Sequence, residues 1–366
     1  MHVIAPVSRP LARIVDGLPD AIDAVAVAAA DTHGFLRRQW FAAAIESYGG
    51  VPRTMLVERD GYATIALPLI GLGPALFGLG QVPGCYWPFR SGPAAETADH
   101  QDFAALLAEA AQAVRGFRLG PVYDDDPLLV GLLPAAAAAG WRALPRFIAD
   151  SYLLDMAALR AEGGWPRNST LRKNRYGEKH LATLGEPDWS FVHGGGWTDA
   201  VFDGLAAIEA ASWIAARTDG GDAKFTDTGH GRFWRSVARD PALADMMWAA
   251  VLRMDGEPAA FSFDLNAGTL KYAIANSYDT RFARHSPGKL LYYRNLVRGL
   301  SDGIDRVDWG AGDSGYKRMI GATPGPAIRD WLFLRPGLPA LAGRLLAARW
   351  ARSGHRPAPE PGPDDE

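Results

Sequence analysis

Two clusters of residues have the types and spacing to do chemistry, and both lie late in the chain. The first is Arg284 to Leu290, reading RHSPGKL. Ser286 and Pro287 fit a helix opening, because a serine oxygen accepts a first-turn N–H and proline supplies a helical φ where no donor is needed. Gly288, Lys289 and Leu290 follow in the first turn, so the amides of a helix start stand beside two cations, Arg284 and Lys289. That arrangement suits a phosphate group. The second cluster, Asp308 to Lys317, reads DWGAGDSGYK. Asp308, Asp313, Tyr316 and Lys317 surround a glycine-bearing turn after a short apolar run. There a phenol with a pKa of about 10 can protonate a departing thiolate, and Lys317 can hold a phosphate or pair with Asp313.

Both clusters need elements to hold them. Leu290, Tyr293, Leu296, Val297 and Leu300 recur at helical spacing and predict an amphipathic helix ended by Gly303. Ile304 to Trp309 reads as a buried strand. Upstream, Trp248 to Met254, Ala259 to Leu265 and Thr269 to Tyr278 are separated by turns at 255–258 and 266–268, which predicts an antiparallel meander. Asp199 to Ala216 reads as a helix with Glu209 and Trp213 one turn apart on one face. Glu209 is the candidate base facing the second cluster. Trp213, Tyr278 at the end of the meander, and Arg172 in the basic stretch 168–184 are the candidate acceptor-binding residues. The same residues also fit structural roles: a helix cap at Ser286, a salt-bridged turn at 308–317 and a solvated basic face at 168–184.

Composition bounds the function. The chain has 366 residues, 48% hydrophobic and 22% charged, which suits a globular protein of two domains. A net charge of -3 argues against DNA as a partner. Cys85 is the single cysteine, which excludes an internal disulfide and a cysteine metal cluster. Asp124, Asp125 and Asp126 are adjacent, so their side chains diverge; they read as a helix cap ahead of Pro127, and no metal site is expected. The first residues lack the apolar core of a signal peptide, and glycines and prolines interrupt the uncharged run 61–89, so a cytoplasmic enzyme is expected. No GxSxG, HExxH, Walker or dinucleotide pattern is present. Strands broken at Pro145 are expected over Trp141 to Leu154. Leu338 to Trp350, with Arg344, Arg349 and Arg352, fits either a helix packed on the domain or an amphipathic helix on an anionic membrane surface. The proline-rich, charged end reads as disordered.

The run SPG, an amphipathic helix and DWGAGDSGYKRMIG resembles the C-terminal half of the GNAT-related acyltransferases grouped with the cellulose-biosynthesis protein CelD, which are similar to the FemAB transferases. The D-x-x-x-G-D-x-x-Y-K pattern is kept as DWGAGDSGYK, and relatives carry a basic helix where Arg172 lies. The resemblance implies two tandem GNAT-like α/β domains with mixed, mostly antiparallel sheets: 1–150, a catalytic 151–335, and a terminal segment 336–366. It also implies an acyl-CoA co-substrate bound around Arg284, Ser286, Pro287, Gly288, Lys289 and Leu290. The acceptor would be an amine of a small molecule, sugar or cell-envelope precursor. The family's loop commonly reads Q/R-x-x-G-x-G/A, whereas this chain has His285 first and Leu290 last. An aminoacyl-tRNA donor, or a non-catalytic role in an exopolysaccharide assembly, therefore stays open.

Overall fold

A computed structural model of the chain describes residues 9–84, 89–212, 221, 223–312 and 316–353, the side chain of Tyr316 excepted. Cys85, Trp213, Asp313 and the chain beyond 353 lie outside the described residues. In chain order the strands are β1 (Leu11–Asp16), β2 (Arg53–Arg59), β3 (Tyr62–Gly71), β4 (Leu79–Gln81), β5 (Gly116–Tyr123), β6 (Arg142–Asp155), β7 (Pro187–Val192), β8 (Met247–Met254), β9 (Glu257–Ala267), β10 (Leu270–Tyr278), β11 (Arg306–Ala311) and β12 (Thr323–Leu334). The chain divides into two units, Met1–Ser151 with Gly325–Glu366, and Tyr152–Pro324.

In the first unit the strand order is β1-β2-β3-β4-β5-β12-β6. β1 to β4 are antiparallel neighbours, and β4 then pairs parallel with β5. Asp60 and Gly61 both have positive φ, as the two-residue turn between β2 and β3 demands. Asp99 caps the His100–Ala113 helix through the amides of Gln101 and Asp102. That helix lies so close to the Pro127–Ala138 helix that a Cβ on Gly131 would come within 2.1 Å of the Phe103 ring. Asp126 caps the second of these helices at the Leu129 amide and accepts from Ser91 Oγ at 2.9 Å. Phe35, Trp40 and Phe89 form the aromatic centre, edge to face with centroids 5.0 to 5.7 Å apart.

Two expectations need correction. Residues 325–334, assigned by sequence to the second domain, pair antiparallel with β5 and belong to the first unit, as does the Leu338–Arg352 helix. Pro145 breaks nothing: β6 runs on as one strand of 14 residues, with Pro145 exposed. Strand β12 is held in place electrostatically as well as by its ladder. Asp330 is fully buried and accepts from Arg118 Nε at 2.9 Å on both oxygens, and from Arg146.

The second unit repeats the plan. Residues 152–155 of β6 lie beside β11, and the order continues β11-β10-β9-β8-β7. β8 to β10 form the expected antiparallel meander, with the β8–β9 turn made by Asp255 and Gly256 at φ 51° and 86°, and β7 adds antiparallel to the outer edge of β8. The Pro287–Ser301 helix follows, and β11 then pairs parallel with β10. Each unit thus has antiparallel strands, a helix, and a strand parallel to the last of them. The helix ends as expected at Gly303, φ 92°, where the Ile304 amide donates to the Gly299 carbonyl at 2.9 Å. Among the described residues no helix is long and apolar enough to cross a membrane.

Asp330→Ala removes the anion shared by two partly buried arginines. Thermal and urea unfolding should register a loss of about 3 kcal/mol, the usual cost of stripping one partner from a buried pair.

Candidate active site

The feature that organises the second unit is the way β10 meets its neighbours. On one side β10 follows β9 through Tyr278, with a bulge between Ala273 and Ala275. On the other, the parallel ladder to β11 covers three residue pairs, Leu270↔Arg306, Lys271↔Val307 and Tyr272↔Asp308. Past Tyr272 the strand runs on for six residues without a described strand on that edge. A strand edge presents N–H and C=O groups that an extended amide-bearing ligand can pair with. The bulge re-aims the backbone at the point where the two strands part.

The first cluster sits at the end of β10. Asp279 caps a short 3-10 turn through the Arg281 amide and pairs with the Arg281 side chain at 2.7 Å. Burial alone would raise its carboxyl pKa, but the Arg281 hydrogen bonds outweigh it and the net shift is downward. Ser286 opens the Pro287–Ser301 helix, though not as a side-chain cap. Its backbone is left-handed, φ 49° and ψ 49°, and its carbonyl, not its hydroxyl, accepts from the amides of Lys289 and Leu290 at 3.1 Å each. Two of the amides expected to hold phosphate therefore already have an acceptor. Gly288 is explained by packing: a Cβ there would lie 2.8 Å from Asn276 Oδ1 and 3.0 Å from Tyr278 Cδ1. Asn276 also donates to the Gly288 carbonyl at 3.2 Å. Pro287 and Leu290 are buried, Tyr278 is half-buried beside them, and Arg284 and Lys289 are exposed.

The second cluster is a clamp. Lys317 is buried, and its ammonium donates to the carbonyls of Gly310, Ala311 and Gly312 at 3.4, 2.9 and 2.7 Å. Asp308, also buried, accepts from the Gly310 amide at 2.7 Å. Both side chains thus shape the turn after β11. Tyr316 opens the next short helix. Glu209 stands at the end of the Asp199–Ala210 helix, 2% exposed, and its two oxygens accept from the Lys224 and Phe225 amides at 2.7 Å each. Burial raises its pKa against the pull of those amides. Its visible work is to anchor the loop at 224–226. Arg172 is exposed on the Asn168–Leu181 helix with Lys173, Arg175, Lys179 and His180, while Glu178 on the same helix is tied to Arg294 at 2.6 and 2.8 Å.

A polar network between the Pro287–Ser301 helix and the meander went unread in the sequence. Lys271 Nζ lies 3.1 Å from Asp264 Oδ2, and both side chains are essentially inaccessible. Asn295 donates to Asp264 at 2.6 Å and to Ser262 at 2.9 Å, and its own oxygen accepts from Trp248 Nε1 at 2.8 Å. Burial pushes the Asp264 carboxyl up and the Lys271 ammonium down, each opposed by the other's charge. Gly299 lies close above Lys271, where a Cβ would fall 3.2 Å from Lys271 Cε. The available signal was two opposite charges at apolar positions either side of the turn at 268–269. Among the described residues, no group of three His, Cys, Asp or Glu is placed to hold a metal.

Residues 168–318 match the family model described as an acetyltransferase (GNAT) domain. No curated protein matches the chain. Among solved structures, FemX aligns over 92% of this chain and all of its own, at 12% identity and a TM-score of 0.61. A conserved protein of unknown function from Bacteroides thetaiotaomicron aligns over 88% of this chain and all of its own, at 11% identity and TM-score 0.56. The C-terminal domain described as that of a lysylphosphatidylglycerol synthetase from Agrobacterium fabrum aligns over 92% of this chain and 97% of its own, at 16% identity and TM-score 0.52. At these identities the likeness is one of fold. The fold is mixed α/β and GNAT-like with a mostly antiparallel sheet, and residues 168–318 are similar to a GNAT acetyltransferase domain.

Lys317→Met leaves three carbonyls without their charged donor. The variant should lose about 2 to 3 kcal/mol in chemical unfolding, and Lys317→Arg should not restore it, because a planar fork cannot replace an ammonium ringed by consecutive carbonyls.

Proposed function

We propose that the second unit is an N-acyltransferase that moves an acyl group from acyl-CoA to an amine of a small molecule, sugar or cell-envelope precursor. The observation that carries this reading is the short β10–β11 ladder. Past it, no described strand pairs with that edge of β10, and an extended thioester-bearing chain with its own amides can add to such an edge as a strand would. Amides near the Ala273–Ala275 bulge then donate to the thioester oxygen as negative charge develops on it. Lys289 and Arg284 supply cations for the diphosphate, together with the helix dipole, which partly replaces the amides already bonded to Ser286.

In this scheme the neutral amine attacks the thioester carbon, a C–N bond forms and the C–S bond breaks. The amine gives up a proton to solvent water, the thiolate gains one from a phenol, and that phenol is reprotonated from solvent. We assign the thiolate's proton to Tyr316. Asp308 and Lys317 act as positioning residues that hold the backbone of Gly310 to Gly312, and Glu209 positions the loop at 224–226 on the acceptor side. Proton transfer by one positioned side chain contributes about 100-fold or more, so Tyr316→Phe should lower kcat by that order with its melting temperature unchanged.

The exposed cations of the Asn168–Leu181 helix favour one second reading, an aminoacyl-tRNA donor. Isothermal titration with acetyl-CoA, longer acyl-CoAs and aminoacyl-tRNA separates the two. Saturable heat from an acyl-CoA, with none from the tRNA, is the expected result. Binding of aminoacyl-tRNA alone rejects the acyl-CoA reading.

A further inference from the structure

The first unit ends in the Leu338–Arg352 helix, and the two faces of that helix differ sharply. The inner face is fastened to the unit. Gly343 is buried where a Cβ would meet Leu334 at 2.6 Å, and Trp350 donates to the Leu144 carbonyl at 3.0 Å while Arg146 stacks on its ring at 4.1 Å. The outer face carries Leu338, Leu341 and Leu345, exposed by 81%, 53% and 87%, with Leu346 beside them at 48%. Positions 338, 341 and 345 follow i, i+3 and i+7, so they make one stripe opposite Gly343. Arg349 and Arg352 continue that stripe into the last two turns, and Arg344 flanks it; all three are exposed. The helix contains no acidic residue.

Next to the leucines is a groove of about 510 Å³ between the turn at 140–143 and this helix, lined by Trp141, Arg142, Ala340, Leu341 and Arg344. Its mouth therefore combines two guanidinium groups with apolar walls. Guanidinium groups match phosphate oxygens in fork geometry, and leucines beside them favour hydrocarbon. Self-association through this face would bring two copies of the same arginine set together with no carboxylate on the helix to meet them, which charge repulsion opposes.

We infer that the outer face of the Leu338–Arg352 helix docks on an anionic phospholipid bilayer. The leucines enter the headgroup and acyl boundary, Arg349 and Arg352 bind lipid phosphates along the surface, and Arg142 and Arg344 bind a lipid phosphodiester in the groove. Docking would hold the acyltransferase unit of the same chain near acceptors at a membrane surface, although the inference does not rest on the acyl-transfer reading.

Flotation of the full chain with large vesicles of phosphatidylglycerol and phosphatidylcholine (3:7), and with vesicles of phosphatidylcholine alone, tests this. The expected result is co-flotation with the anionic vesicles only, weakened by salt. Arg349→Glu should reduce partitioning at least about five-fold, the effect of one cation near a charged leaflet. Leu341→Glu with Leu345→Glu should reduce it at least about ten-fold. Because these side chains are exposed, melting temperatures should not move. Absence of flotation overturns the inference, as does equal flotation of native and variant chains. A concentration-dependent dimer that Leu345→Glu abolishes, without any vesicle binding, overturns it in favour of a second copy of the chain.

Discussion

The buried pair of Lys271 and Asp264 is the constraint on which the second unit depends. Taking two charges out of water costs several kcal/mol, and their attraction does not make the core more stable than a well-packed apolar one would be. What the pair provides is registry. Asp264 is on β9, Lys271 on β10, and Asn295 on the Pro287–Ser301 helix reaches Asp264, Ser262 and Trp248 at once. A slip of one residue in either strand would turn one charge away from its partner and leave the other alone in the core. Gly299 lets the helix come down over Lys271, so the angle of the helix is fixed by the same contact.

Once β9, β10 and the helix are locked, the site follows. The helix start is pressed against the end of β10, so a Cβ at position 288 would push on Asn276 and Tyr278, and Ser286 just before it takes a left-handed backbone. A non-glycine residue in that conformation costs about 1 kcal/mol or more and persists where the surroundings hold it. β11 returns parallel to β10 for three pairs, and the glycine turn that follows is gripped by Lys317. Among the described residues the β10–β11 ladder thus stops after three pairs, with the Pro287–Ser301 helix packed on β9 and β10 and the end of β11 held by Lys317. Rigid supports of this kind suit a reaction whose main requirement is alignment of two substrates.

Local signals made much of this legible. Asp60-Gly61 and Asp255-Gly256 announce hairpins because positive φ is demanded there, and the meander and helix follow from period-2 and period-3.6 apolar spacing. What local signals do not carry is long-range pairing. Nothing in residues 325–334 says that the strand belongs beside β5, some two hundred positions earlier, because that choice rests on Asp330 meeting Arg118 and Arg146. Individual roles were harder still. Glu209, Asp308 and Lys317 were marked by residue type as chemical groups, yet their described bonds go to backbone amides and carbonyls. Lys271 and Asp264 sit inside strands on either side of a turn, and burial is what sets them apart from other strand charges.

The central claim is that the donor lies along the edge of β10 beyond its ladder with β11. Amide hydrogen exchange of the full chain, followed with and without saturating acetyl-CoA, tests that claim segment by segment. The account predicts slowed exchange in 273–278 and 287–290. Unchanged exchange in both segments, with protection elsewhere in the chain, would contradict it.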